Sequence, residues 1–255
     1  MKIKELWNGF LDLLFPEFRC VVCGREAKDT ETKLCENCKK SFPKIEGHIC
    51  AKCGAPLPEH DYICDTCRNA EYHFDEARSS FLYTKETSRL FFGIKYSGKK
   101  YVAKFLASQM AETLKSWGVA CDIIVPVPLT EKRRKVRGYN QSLLIADELS
   151  RLTGIEVCDN VVERIKDVSA QTSLSRKERI KNLDGVFRRV PKTSLKGKRV
   201  LIVDDVFTTG ATASAVAKEI RKMKADKIYV LTAGKTVYYN QSSENATRKL
   251  KQKGK

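Results

Sequence analysis

An apolar run, Val200, Leu201, Ile202 and Val203, meets two adjacent acids, Asp204 and Asp205, and the chain then turns through Thr208, Thr209, Gly210, Ala211 and Thr212 into an amphipathic stretch. Each part has chemistry available. Ionised aspartates only accept hydrogen bonds and have several lone-pair positions, so neighbouring carboxylates at the carboxyl edge of a parallel sheet suit the two hydroxyls of a ribose. Threonine hydroxyls, loop amides and the positive end of a following helix suit a phosphate, and Gly210 permits the close backbone approach such a cradle needs. An isolated acid pair or TGxT is commonly no more than a solvated strand end and a helix cap. The order of strand, acid pair, TTGAT and helix favours the functional reading, a ribose-phosphate site with Asp204 and Asp205 as its catalytic and binding acids.

Eight of the ten cysteines fall between Cys20 and Cys67, in four CxxC pairs. Cys20, Cys23, Cys35 and Cys38 make one set; Cys50, Cys53, Cys64 and Cys67 make the second. A two-residue gap lets a tight turn bring both sulfurs to one zinc ion, and each set supplies the four thiolates of a closed tetrahedral site. Gly24 and Gly54 give permissive backbone just after a pair. Closed sites leave no position for substrate, so both Zn(2+) ions read as structural, supplying folding energy to a module too small for a large core. Pairing within successive sets is the simpler arrangement and interleaving the alternative; buried or redox-active thiols and an iron-sulfur cluster are the competing chemistries.

The elements that must position these groups follow from apolar periodicity. Strands are expected at Ala77 to Tyr83, Asp122 to Val127, Ile155 to Val162, Arg199 to Val203 and Lys227 to Thr232. One helix carries Val102, Leu106, Met110, Leu114 and Trp117 on one face and stops at Gly118; another carries Ile145, Leu149 and Leu152 and stops at Gly154. A third runs from Ala213 to Met223 with Val216, Ile220 and Met223 inward. KRRKVR, 132 to 137, reads as a basic loop. The polar segment Arg164 to Leu183 has no apolar period and is too long for an ordinary connection, so it reads as an active-site flap. The end, Asn240 to Lys255, reads as a disordered basic tail.

Residues 1–72 are thus expected to form a double zinc ribbon, 73–239 an α/β domain and 240–255 the tail. The formal charge is +17, from 48 Lys and Arg against 31 Asp and Glu, which favours nucleic acid or phosphorylated small molecules as partners. Leu11, Leu13, Leu14 and Phe15 are broken by Asp12 and closed by Pro16, too short a patch for a signal peptide, and no apolar run approaches membrane-spanning length. A cytoplasmic location without membrane insertion is expected, where cysteines serve as metal ligands rather than disulfides.

VLIVDDVFTTGATA, Val200 to Ala213, resembles the PRPP-binding motif of class I phosphoribosyltransferases, in which the acid pair holds the ribose and the TGxT loop the 5-phosphate. IVPVPLTEKRRKVRGYNQS, the arginine, glutamine and asparagine pattern from Arg164 to Asn182, GIKYSGK around Lys95 and the opening LFPEFRCVVC resemble the ComF (ComFC) competence family, which also carries amino-terminal zinc cysteines. The resemblance runs from Leu14 to about Tyr238. It implies a parallel-sheet class I phosphoribosyltransferase fold with a small N-terminal double zinc-ribbon module. It also implies a pyrophosphate loop at Pro126 to Thr130, including Val127, with Lys95, Arg133, Arg137, Asn140 and Gln141 as anion contacts around it. Arg164, Gln171 and Arg179 would line the flap, and Mg(2+) would accompany PRPP.

Purine-salvage relatives place an acid four residues after the first aspartate; here that position is Thr208, so a ready base for purine chemistry is missing. What the resemblance implies is a protein of DNA uptake and transformation that binds single-stranded DNA and keeps a PRPP site, with a DNA-translocation helicase as a possible partner and with Tyr139 and Tyr62 available to stack bases. The alternatives are a phosphoribosyltransferase with no DNA role and a PRPP sensor that performs no transfer.

Overall fold

The computed structural model describes residues 19–27, 34–96, 98, 100–167 and 183–237. The amino-terminal region holds two small cysteine ribbons with short helices α1 (Glu36–Ser41) and α2 (Asp65–Arg68). The remainder alternates: β1 (Glu76–Leu82), α3 (Ser88–Tyr96), α4 (Val102–Trp117), β2 (Ile123–Pro126), α5 (Glu131–Arg137), α6 (Gln141–Thr153), β3 (Glu156–Val157), β4 (Val162–Arg164), β5 (Phe187–Arg189), β6 (Arg199–Phe207), α7 (Ala211–Arg221) and β7 (Lys227–Lys235).

Five strands pair in the order β1-β7-β6-β2-β3, every pair parallel. Parallel strands need crossover helices and are covered on both faces, which is why Val200–Val203 of β6 and Ile228–Leu231 of β7 are unbroken apolar runs. Leu201 and Val203 face one core with Phe91 and Ile94 of α3, Leu106 and Met110 of α4 and Ile145 and Leu149 of α6. Val200 and Ile202 face a second core with Val216 and Ile220 of α7. Strands β4 and β5 form a separate antiparallel pair at the base of the polar excursion. Residues 168–182, with Gln171 and Arg179, and the tail lie outside the described residues. Among the described residues no helix is long and apolar enough to cross a membrane.

Several expectations are corrected. Strand β6 does not stop before the acid pair: it continues to Phe207 because β7 extends to Lys235 and keeps pairing it, Asp204 opposite Thr232 and Phe207 opposite Lys235. Helix α7 starts at Ala211, two residues early, directly after Gly210 at φ 76°. KRRKVR is helical in α5, because the Thr130 side chain caps it by accepting from the Arg133 amide and Gly138 closes it in the left-handed region. Leu152 is 57% exposed rather than inward. The strand expected from Ile155 to Val162 is broken: Glu156 and Val157 form β3 beside β2, and Val162 opens β4. Helix α3 had no counterpart in the periodicity reading.

Both ribbons sit against the outer edge of β1. From the second, the Lys52 carbonyl accepts from the Ala77 amide (2.8 Å) and the Ala51 carbonyl accepts from the Arg78 side chain (3.0 Å). Gly54, at φ 66°, packs so close that a Cβ there would lie 2.9 Å from the Ala77 carbonyl oxygen. Beyond the first ribbon, the Pro43 carbonyl accepts from the Leu82 amide (2.8 Å) and the Ile45 amide donates to the Ser80 carbonyl (3.1 Å).

Candidate functional site

The cysteines assemble in successive sets. The sulfurs of Cys20, Cys23, Cys35 and Cys38 all lie within 4.8 Å of one another, as do those of Cys50, Cys53, Cys64 and Cys67. Zinc–sulfur bonds of about 2.3 Å set a tetrahedral edge near 3.8 Å. The Cys23–Cys35 and Cys53–Cys64 separations, 3.6 and 3.7 Å, match that edge. Burial works against a thiolate at Cys23, yet hydrogen bonds from the side chain and backbone of Arg25 bring its thiol down to about 6. Four-sulfur cages, with no fifth donor among the described residues, support structural zinc.

At the carboxyl end of β6, Asp204 accepts from the Ser142 hydroxyl of α6 (2.7 Å) and from the Asp205 amide (2.9 Å), both on Oδ1. Its surroundings strip most of its water and Asp205 adds a like charge, so its carboxyl rises to about 7, even though Ser142 and Lys95 act in the opposite direction. Asp205 is buried, and the Lys95 ammonium of α3 stands 2.5 Å from its Oδ2. That oxygen accepts no well-angled hydrogen bond. Burial opposes the charge on Lys95, but the attraction of Asp205 outweighs it and raises the lysine.

Past Phe207 the loop carries an exposed Thr208 and a buried Thr209, whose Oγ1 accepts from the Ala211 amide (3.4 Å). The first-turn amides of α7 follow, groups that a helix leaves without intrahelical partners and that favour anions. The underside of this loop is closed by the connector leaving the second ribbon. The Tyr72 hydroxyl donates to the Thr209 carbonyl (2.8 Å), and its ring lies so near Gly210 that a Cβ there would come within 2.8 Å of it and 2.6 Å of Phe207. The His73 amide donates to Ser214 of α7 (3.1 Å), and Arg221 donates to Asp75 (2.5 Å).

Basic groups gather on the β2 side. The Val127 amide donates to the Val203 carbonyl (2.9 Å) and the Val127 carbonyl accepts from Asn140 (3.0 Å), so the turn after Pro126 is held between β6 and α6. Arg133 pairs with Asp167 (2.9 Å), which also accepts from Thr130 (2.8 Å). Arg164 is lowered first by burial and then by Arg133, two guanidinium groups held near each other and near Asp204. Arg137 hydrogen-bonds Gln141, and its guanidinium lies 5.4 Å from the Tyr96 ring.

Comparison with known proteins matches a double zinc ribbon domain over residues 10–68 and a phosphoribosyl transferase domain over residues 139–253. Competence protein F of Haemophilus influenzae is 32% identical over 225 residues, covering 85% of this chain and 96% of that protein. The chain belongs to the competence protein F family. Other relatives are competence protein ComFC of Bacillus subtilis, 29% identical over 74% of this chain and 78% of its own, and DNA utilization protein YhgH of Escherichia coli K12, 27% identical over 83% and 94%. Among solved structures, a purine phosphoribosyltransferase from Pyrococcus horikoshii aligns at a TM-score of 0.32 and 20% identity over 52% of this chain and 80% of that one.

In this competence protein F relative, the structure brings Asp204, Asp205, Lys95 and the turn at Pro126 and Val127 to one end of the sheet, with Thr208, Thr209, Gly210, Ala211 and Thr212 beside them. Arg137 points to the outer rim rather than to the acids. Tyr139 is held by its hydroxyl to the Ile94 carbonyl (2.6 Å), so it does not stand free for stacking, whereas Tyr62 on the second ribbon is 73% exposed. Sequence reasoning missed Ser142, Asp167 and Tyr72, and gave Thr130 only as the end of the expected pyrophosphate loop, not as the partner of Asp167. Ser142 and Thr130 lie within the family-like IVPVPLTEKRRKVRGYNQS segment, but a serine or threonine gives no signal of its partner until the fold places it against Asp204 of β6 or against Asp167.

Proposed function

We propose that the chain binds Mg(2+)-PRPP at the end of β6 and single-stranded DNA on its basic surface, as a DNA-uptake protein with a phosphoribosyltransferase site. The observation that carries the first half is the acid pair itself. Asp204 sits at the mouth with Oδ2 unengaged by the hydrogen bonds described above, and Asp205 lies behind it against Lys95, both one turn before a left-handed Gly210 and a helix amino terminus. The ribose hydroxyls would donate to Asp204 and Asp205. Thr208 to Thr212 would hold the 5-phosphate, and the Pro126–Val127 turn with Arg133 and Arg164 would face the pyrophosphate. Divalent magnesium prefers oxygen ligands from one or two carboxylates plus substrate phosphates, and Asp204 offers a carboxylate oxygen of that kind; bound there, it would offset charge on the departing pyrophosphate. Lys95 would act by orienting Asp205, and the other cations by stabilising the leaving group.

The DNA half follows from the relatives, one named for competence and another for DNA utilization, together with the charge of +17. A second reading, a PRPP sensor without transfer, is favoured by Thr208: an exposed threonine stands where an acid would serve a purine acceptor. Calorimetric titration with PRPP and Mg(2+) tests the site. Binding is expected for the native chain, with at least a tenfold loss in Asp204→Asn and Asp205→Asn; unchanged affinity in both variants would remove the site. Pyrophosphate release that depends on an added acceptor would exclude the sensor reading.

A further inference from the structure

Helix α3 buries Leu90, Phe91 and Ile94 against the sheet, and its opposite face is unusual for so short an element. Arg89, Phe92 and Tyr96, at three- and four-residue spacing, form an outward stripe. Phe92 is 60% exposed and Tyr96 68%, and their rings are in contact, 5.2 Å between centroids at 45°. A single exposed aromatic is ordinary on a protein surface. Two touching aromatics among cations are a different feature: Arg137 reaches over the Tyr96 ring, and Lys100, at the end of the following turn, lies 5.4 Å from the Tyr139 ring. Helix α5, which supplies Arg137, also exposes Lys132, Arg134 and Lys135, with Glu131 its one acid, paired to Lys135 (3.3 Å).

We infer that Phe92 and Tyr96 form a base-stacking platform for single-stranded DNA, with the cations of α5 tracking the phosphates, so that the strand crosses the entrance of the PRPP site. The inference rests on the DNA-binding reading above and assigns it a surface. Exposed aromatic rings beside cations fit unpaired bases, whose faces are available; in a duplex those faces are stacked and out of reach. An apolar protein partner would gain nothing from the surrounding charges, and a second copy of this chain would set like charges against each other. The platform adjoins the pocket through neighbouring residues of one helix: Lys95 turns inward to Asp205 while Tyr96 turns outward.

The test is fluorescence anisotropy of a labelled oligothymidylate on the full-length, zinc-loaded chain, with a duplex of equal length alongside. Phe92→Ala/Tyr96→Ala is expected to weaken single-strand binding about tenfold or more and to erase the preference over duplex, with the salt slope unchanged because stacking is not ionic. Lys132→Ala/Arg134→Ala is expected instead to flatten the slope of log affinity against log salt, by about 0.7 per charge engaged. Zinc content and PRPP affinity of the aromatic variant should equal those of the native chain, which separates a lost platform from a lost fold. If the native chain binds the oligonucleotide but the aromatic variant binds it equally well, the platform is wrong while DNA binding stands. If the native chain binds no DNA, both fall. A native dimer that the aromatic variant breaks, with DNA affinity unchanged, would make the patch a self-association face and overturn the inference.

Discussion

Asp204 carries two opposed demands: an ionised carboxylate suits ribose hydroxyls and a divalent cation, yet its surroundings favour the proton. Desolvation and the charge of Asp205 lift it to about 7, against the pull of Ser142 and Lys95. An unfolded aspartate titrates near ~3.9. Between those values the native chain holds a proton that the unfolded chain has released, so this group's contribution to stability is intact below pH ~4 and is lost as pH rises towards 7, levelling off above. Urea unfolding at pH 5 and pH 8, for the native chain and Asp204→Asn, should show the native chain losing more stability than the variant over that interval; parallel changes would place the proton elsewhere. Behind it, Asp205 is paired with Lys95 at 2.5 Å. Removing one partner of such a buried pair is costly because the other charge stays behind, so Lys95 belongs to the site's architecture as much as to its charge balance.

At the scale of elements, the loop after β6, proposed above to hold a phosphate, is clasped from below by the connector between the second ribbon and β1. Tyr72 bonds the Thr209 carbonyl and covers Gly210, stacks on Phe74 at 4.7 Å and meets Phe207 edge-on, while His73 and Asp75 are tied to α7. Tyr72→Phe keeps the ring and deletes a hydrogen bond worth about 1 kcal/mol. PRPP affinity is expected to fall several-fold in calorimetry while zinc content stays constant; an equal loss of both would mean that the residue serves only the fold.

The cages were legible in sequence as four CxxC pairs, enough thiolates for two sites, although only the fold shows that successive pairs join; the turn from the acid pair through Gly210 into a helix was legible as well. The extent of β6 was not, since the acid pair looks like a strand end and only the longer β7 keeps Val206 and Phe207 in register. KRRKVR looked like a loop because it has no apolar face to place; its helix rests on Thr130 and Gly138 at its ends. Tyr72 and Ser142 gave no signal because their partners lie 137 and 62 residues away.

For the whole molecule, the ribbons lie along the outer edge of β1, satisfying the amides of Ala77 and Leu82. An uncovered edge strand is a template for pairing with another chain. Stripping zinc with a strong chelator should therefore do more than unfold residues that precede the sheet: light scattering should rise at temperatures where the zinc-loaded chain stays clear, and prompt zinc return should prevent it. A clear solution after complete metal removal would show that the edge is protected by something else. The strand order adds a matter of timing. Strand β1 takes its inner partner from β7, about 150 residues later in the chain, which at about 5–20 residues per second is roughly eight to thirty seconds of synthesis. The ribbons emerge first, and metal supplies small modules of this kind with their folding energy, so the segment that comes to lie beneath the loop after β6 is made in time to shield one side of a nascent strand before its neighbour exists.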